Sequence, residues 1–472
     1  MAGIAEVWGL QLRQSGTEVN VDLSQRYQTM DGFGFSLAFQ RANLVVNLPE
    51  EKRTALIDLF FNATTGAGFT ILRNGIGASP DSNSDHMNTI LPENPGSPTA
   101  EPEYVWDGKD SGQLWVSQQA VTYGLDQIYA NAWSAPGFMK TNGNNANGGT
   151  LCGVSGTNCG DWRQAYADYL VQYIKFYEQE GVPVRYLGFL NEPDLSTSYS
   201  SMLSNGNQAA EFIEVLYPTL QENNMSNVGI TCCDATGWNA QAQMLGGLSS
   251  VNDMIELITS HSYTSSPSSP LNTPHRVWES EYADLSGQWT TAWYSGGGAG
   301  DGMTWANNIY NAIVNANVSG YLYWEGVQST AINGPVNEKL VRIDNNEVTV
   351  SKRLWAFAQW SRVVRPGAVR ISSSSGGGGG GCTGWFCGGG GGLQTAAFQN
   401  ADESVAVVAI NGGGSSSDLS ISLADFGVAS AQAWMTDEDN DAAAVDIEVS
   451  SDGVVTGSVG ANAMISFLIQ GS

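Results

Sequence analysis

Between residues 28 and 365, short apolar runs alternate with longer segments of helical periodicity. The runs at 30–35, 69–73, 128–133, 186–190, 228–232, 258–261, 276–281 and 320–324 predict eight strands. Segments such as 51–61, 162–180 and 208–222 predict helices between them. Eight strand–helix units in one stretch predict an α/β fold, a (β/α)8 TIM barrel with long loops. The pattern differs at both ends. Residues 5–27 alternate apolar and polar, as in Val19-Asn20-Val21-Asp22-Leu23, and predict one or two strands. Residues 366–472 begin with a stretch, 373–393, that is almost all Ser and Gly and reads as a loop. Beyond it, alternating runs at 404–410, 419–423, 445–449 and 463–469 are punctuated by Asn411-Gly412 and Asp452-Gly453. They predict a small β-sandwich attached to the barrel, with residues 5–27 completing its sheet.

Composition narrows the function. The 472 residues are 42% hydrophobic, enough for a large core and a smaller one. Forty-six Asp and Glu against 19 Lys and Arg give a net charge of −27, which repels nucleic acid and anionic membranes. No apolar run is long enough to span a bilayer. Cys152 and Cys159 bracket one Gly-rich loop and Cys382 and Cys387 another, and both pairs are predicted as disulfides. The adjacent Cys232 and Cys233 fit either a vicinal disulfide or two buried thiols. The three histidines lack ligand spacing to a cysteine pair, so neither metal nor cofactor is predicted. Asn62, Asn224 and Asn317 open N-glycosylation patterns. With the cysteines, they suggest a secreted, extracellular glycoprotein. The start of the chain shows no basic segment followed by an apolar run, and reads as a mature form.

Two carboxyls carry the chemistry. Glu192 in Phe189-Leu190-Asn191-Glu192-Pro193 follows a strand that the proline ends, and so sits on the barrel rim, where sites of this fold lie. A rim carboxyl flanked by apolar residues is partly desolvated, a setting that suits a general acid. In Trp278-Glu279-Ser280-Glu281-Tyr282, alternation puts Glu279 and Glu281 on one face, with Glu281 nearer the rim and favoured as nucleophile. Glu279 would then be a deeper support group or an ion-pair partner. Carboxyls on opposite sides of a glycosidic bond are the minimum for sugar hydrolysis.

The motifs Asp31-Gly32-Phe33-Gly34, Leu72-Arg73-Asn74-Gly75, Ala132-Trp133-Ser134-Ala135-Pro136, Asn191-Glu192-Pro193, Trp278-Glu279-Ser280-Glu281-Tyr282 and Tyr323-Trp324, in this order, resemble glycoside hydrolase family 30, and within it the fungal xylanase branch. The resemblance spans nearly the whole chain. It implies Glu192 as acid/base after the fourth strand, Glu281 as nucleophile after the seventh, retention of anomeric configuration, and a sandwich that includes the N-terminal strand.

Supporting residues follow from position. Asn191 is placed to hold a substrate hydroxyl. Trp133 and Trp324 end the third and eighth strands and could floor and wall a sugar subsite, or be core. Arg73 could orient the nucleophile or serve a structural ion pair. Tyr263 could hydrogen-bond the nucleophile, and His261 reads as a rim hydrogen-bonder rather than a base. Arg41 is a cation in a chain with few, and could contact a glucuronic acid branch through a bidentate fork; the rival role is solvent or the acidic surface. The expected partner is a polysaccharide, β-1,4-xylan with or without glucuronic acid branches, met by a monomer. A β-1,6-glucanase, which the same family also holds, and a barrel that binds polysaccharide without cleaving it are the alternatives.

Overall fold

The computed structural model describes residues 17–81, 86–375 and 392–472. Eight parallel strands close into a barrel: Gly32–Ser36, Ile71–Ile76, Gln127–Ala132, Val184–Gly188, Gly229–Ala235, Leu257–His261, Arg276–Tyr282 and Gly320–Gln328. Each pairs with the next, and the eighth closes the ring by pairing with both the first and the seventh. Almost every strand residue is buried, because side chains fill the barrel on one face and helices cover the other. Ile71, Tyr129, Tyr186, Leu257, Trp278 and Leu322 form one cluster of the interior. Asp31 accepts from Trp278 Nε1 at 2.7 Å and pairs with Arg276. Gly188 ends the fourth strand where a Cβ would meet Asn131 Oδ1 at 2.0 Å, so a side chain there would displace the interior Asn131.

Helices cover the barrel with apolar and aromatic faces. Arg163–Gln179 buries Tyr166, Tyr169, Tyr173 and Tyr177 at helical spacing. Gly206–Glu222 starts at a capping box in which Asn205 and Gln208 satisfy each other's backbone donors. The sequence reading missed a hairpin beside the eighth strand: Lys339–Asp344 runs parallel to it and Glu347–Val350 returns antiparallel. The turn holds Asn345 and Asn346 at φ 51° and 63°, a left-handed pair that asparagine tolerates and that was the available signal.

A second, ten-stranded sheet forms the side domain. Thr17–Thr29 lies between Val369–Ser375, antiparallel, and Ser417–Leu423, parallel. Residues 5–16 and the predicted Cys382–Cys387 bridge lie outside the described residues. Val405, Val407, Ile421, Ile465 and Phe467 are among the residues of this domain's own core. Its other face meets the barrel: Trp293 Nε1 donates to the Asn462 carbonyl at 2.5 Å, and Gln359 Nε2 donates to Thr436 Oγ1 at 2.8 Å. Cys152 and Cys159 form a disulfide, and Cys232 and Cys233 are bonded across a cis peptide. Among the described residues no helix is long and apolar enough to cross a membrane. Asn224 is exposed, Asn62 is half-buried with its amide oxygen accepting from Thr64 N, and Ser319 of the third glycosylation pattern is buried.

Candidate active site

The C-terminal ends of the barrel strands converge on one buried, charged cluster. Arg73, from the second strand, donates through Nη1 to Glu281 Oε2 and through Nη2 to Asn191 Oδ1 at 2.6 Å. Tyr263 donates to the other carboxylate oxygen, Glu281 Oε1, at 3.1 Å. Both oxygens of Glu281 are therefore held by side chains, Arg73 from the second strand and Tyr263 from the loop after the sixth. Trp133 lies under the same guanidinium, 4.5 Å from ring centroid to Arg73 Cζ.

Glu192 is four residues beyond the end of its strand and adopts φ 49°. That left-handed conformation is costly for a glutamate and persists where the surroundings impose it. Here its N–H donates to the Asp234 carbonyl at 2.8 Å, its Oε1 lies 3.2 Å from His261 Nδ1, and Tyr199 OH donates to Oε2 at 3.5 Å. A carboxylate oxygen of Glu192, one of Glu281 and a ring nitrogen of His261 all lie within 4.8 Å of one another.

The charges are ordered. Burial alone would lower His261, but Glu281, Asp234 and Glu192 push it up to about 10. Burial pushes the Glu281 carboxyl above its ordinary range, against the pull of His261 and Arg73. Burial also acts to raise Asp234, yet Arg73 and His261 hold it down to about 2. The buried set thus has two cations, Arg73 and His261, against the carboxyls of Glu192, Glu281 and Asp234. It is neutral when the Glu192–Glu281 pair carries one proton. The Glu192–His261–Glu281 spacing would also suit a cation.

Aromatic residues wall the cluster. Phe39 packs edge-on against Trp133, Tyr199 and Trp324, at 5.4, 5.5 and 5.8 Å between ring centroids. Trp133 and Trp324 lie 5.8 Å apart and are 2% and 8% exposed. Lys140 binds the loops after the third and fourth strands together, donating to Ser134 Oγ at 2.9 Å, Asn145 O at 3.3 Å and Ser201 O at 2.6 Å. Burial pushes its ammonium down to about 7.

Two sequence expectations need correction. Glu279 does not share a face with Glu281. The register slips between Glu279 and Tyr282, and Ser280 Oγ donates to Asp234, so Ser280 and Glu281 both face the cluster. Glu279 is fully buried instead, and burial pushes it to about 8. Arg41 does not face solvent: it is 4% exposed, its Nε lies 3.1 Å from Glu325 Oε1, and its Nη1 donates to the Phe39 carbonyl at 2.8 Å. A substrate carboxylate would have to compete with Glu325 for it. Sequence reasoning missed Asp234, Tyr199 and Phe39 at the site.

The sequence model of glycosyl hydrolase family 59 matches residues 30–362, and that of the glycosyl hydrolase family 30 beta sandwich domain matches residues 367–467. Among solved structures, the catalytic domain of GH30 xylanase C from Talaromyces cellulolyticus is 44% identical, with a TM-score of 0.86 over 96% of this chain and 100% of that one. Among curated relatives, the endo-1,6-beta-D-glucanase BGN16.3 of Trichoderma harzianum is 31% identical over 185 residues, 36% of each chain, so the match spans about a third of that relative. The endo-1,6-beta-D-glucanase of Neurospora crassa is 25% identical over 82% of this chain and 79% of its own. With its sandwich matched by the family 30 model and with 44% identity to a family 30 xylanase over 96% of its length, this chain belongs to glycoside hydrolase family 30.

Proposed function

We propose that the protein is a retaining endo-β-1,4-xylanase, secreted and acting as a monomer, with Glu281 as nucleophile and Glu192 as acid/base. A Glu281 oxygen attacks the anomeric carbon, the glycosidic C–O bond breaks, and the Glu192 proton passes to the leaving oxygen. Water then gives a proton to Glu192 and its oxygen to the anomeric carbon, and the bond to Glu281 breaks. Arg73 and Tyr263 hold the attacking carboxylate in line, and Asn191, fixed by Arg73, lies beside the reacting sugar. Trp133 and Trp324 supply the stacking walls.

The observation that carries the mechanism is the close approach of the two carboxylates, an oxygen of one lying within 4.8 Å of an oxygen of the other. Retaining enzymes need carboxyls roughly 5–5.5 Å apart, and inverting ones about 6.5–9.5 Å, to admit a water between them. The substrate reading rests on the 44% identity to a xylanase over the whole of that chain. The second reading, β-1,6-glucan, is favoured by fungal β-1,6-glucanases at 25–31% identity. Reducing sugar released from glucuronoxylan, unbranched xylan and β-1,6-glucan separates them. The expected result is release from the xylans alone, and release from the glucan alone would overturn the xylanase reading.

Arg41 gives a finer expectation. If it reads a uronic acid branch by exchanging Glu325 for the substrate carboxylate, Arg41→Ala lowers kcat/KM on glucuronoxylan by about tenfold, a charge-assisted contact of ~1.4 kcal/mol, and leaves unbranched xylan unchanged. An equal loss on both substrates shows that Arg41 is only structural.

A further inference from the structure

Asp234 lies beneath the two glutamates and belongs to neither catalytic step. Its carboxylate is 1% exposed and touches side chains from four other strands. Tyr129 OH and Ser280 Oγ donate to it, Thr259 Oγ1 donates at 3.0 Å, and the charged neighbours are His261 Nε2 at 3.3 Å and Arg73 Nη2 at 3.7 Å. Its backbone is left-handed, φ 52°, which turns its carbonyl onto the N–H of Glu192. One residue therefore contacts the backbone of the acid/base and both cations that face the nucleophile.

The contact with His261 is close but poorly aligned: Nε2 lies 3.3 Å from Asp234 Oδ1, and both charge and a bent hydrogen bond join the pair. The imidazole thus sits among three carboxyls: Glu192 at Nδ1, 3.2 Å, with Asp234 and Glu281 at Nε2, 3.3 and 3.7 Å. Glu279 is the further carboxyl acting on Asp234 and His261. Only the imidazolium offers a proton and a positive charge to both sides at once.

We propose that Asp234 is a positioning residue whose fixed negative charge keeps His261 a cation, so that His261 can bridge the acid/base and the nucleophile at their working separation. A neutral imidazole would donate at one nitrogen only. It could hold Glu192 or Glu281 but not both, and the other would swing away. An asparagine of the same shape cannot substitute, because it brings no negative charge to the imidazolium. This inference rests on the roles given above to Glu192 and Glu281, and its spectroscopic test is independent of activity.

The chain has three histidines, so the ring nitrogens of 15N-histidine-labelled protein can be assigned with His86→Gln and His275→Gln variants. In the wild type His261 is expected to be doubly protonated at pH 8, and a neutral His261 at pH 7 overturns the proposal whether or not any variant folds. In Asp234→Asn its titration midpoint is expected to fall by at least one pH unit, roughly a tenfold change in proton affinity. kcat is expected to fall ~10²-fold, the scale of a misplaced catalytic group, with KM nearly unchanged. The basic limb of the kcat/KM profile should move down with the His261 midpoint. Tyr129→Phe removes one donor from Asp234 but leaves the charge, and should move neither. An unshifted His261 in Asp234→Asn, an activity loss with an unmoved pH limb, or a Tyr129→Phe shift as large as that of Asp234→Asn would each show that Asp234 acts by packing alone. A protein inactive on every β-glycan but with the expected His261 titration would overturn the hydrolase reading and not this one.

Discussion

Glu281→Ala is expected to lower kcat on xylan by at least ~10⁴-fold, about 5.5 kcal/mol at 1.36 kcal/mol per decade. The size follows from what is lost. Without the carboxylate there is no covalent intermediate, and water would have to attack in one step with no carboxylate on that face to take its proton. The variant also leaves Arg73 buried beside an empty place, with Asn191 and Asp234 as its remaining polar partners. That vacancy yields the sharper measurement. Azide fits beside Arg73 and Tyr263, carries the missing charge, and can attack from the nucleophile's face while Glu192 still protonates the leaving group. The product is then an α-glycosyl azide, opposite in configuration to the β-product of the wild type, and readable by proton NMR. More than about 1% residual activity, well above the background expected after loss of a covalent nucleophile, would remove Glu281 from the role.

The parts of this site that sequence makes legible are those that local rules place. Glu192 is marked by a strand that ends in Asn-Glu-Pro, and Arg73, Trp133 and Trp324 by lying at the ends of apolar runs. The parts it hides are set by tertiary geometry. Asp234 stands in Cys232-Cys233-Asp234-Ala235, one carboxyl on an apolar strand, and its partners come from residues 73, 129, 259, 261 and 280, no two of them joined by a motif. Phe39 reaches the site because it and Gln40 both take positive φ, 55° and 65°, which nothing in a phenylalanine announces. The Glu279 reading failed because alternation assumes an unbroken strand, and the bulge at Ser280 breaks it. Arg41 read as a free rim cation open to a uronic acid, with solvent or the acidic surface as its rival; its partner Glu325 is 284 residues away and no periodicity joins them.

The acid/base should betray itself by leaving group. Glu192→Ala is expected to cut kcat on xylan by about 10³–10⁴-fold, at the upper end of what general acid–base catalysis supplies. A sugar alkoxide is a poor leaving group and needs the proton that Glu192 gives it. A dinitrophenyl xyloside does not, because its phenolate leaves unaided, so Glu281 should still form the glycosyl-enzyme at close to the wild-type rate. Hydrolysis of that intermediate also needs Glu192, now as base, so the intermediate accumulates. The expected signature is a burst of phenolate equal to the enzyme concentration, a slow steady state and a lowered KM. Azide needs no base: it should relieve the slow step and give a β-glycosyl azide, the anomer opposite to that expected from Glu281→Ala. The two variants thus assign the two carboxyls independently, by product configuration rather than by loss of activity, which any damage to this interlocked cluster could cause. An α-azide from Glu192→Ala would exchange the roles, and equal losses in kcat/KM on xylan and the activated aryl xyloside, with no burst, would remove Glu192 from proton transfer.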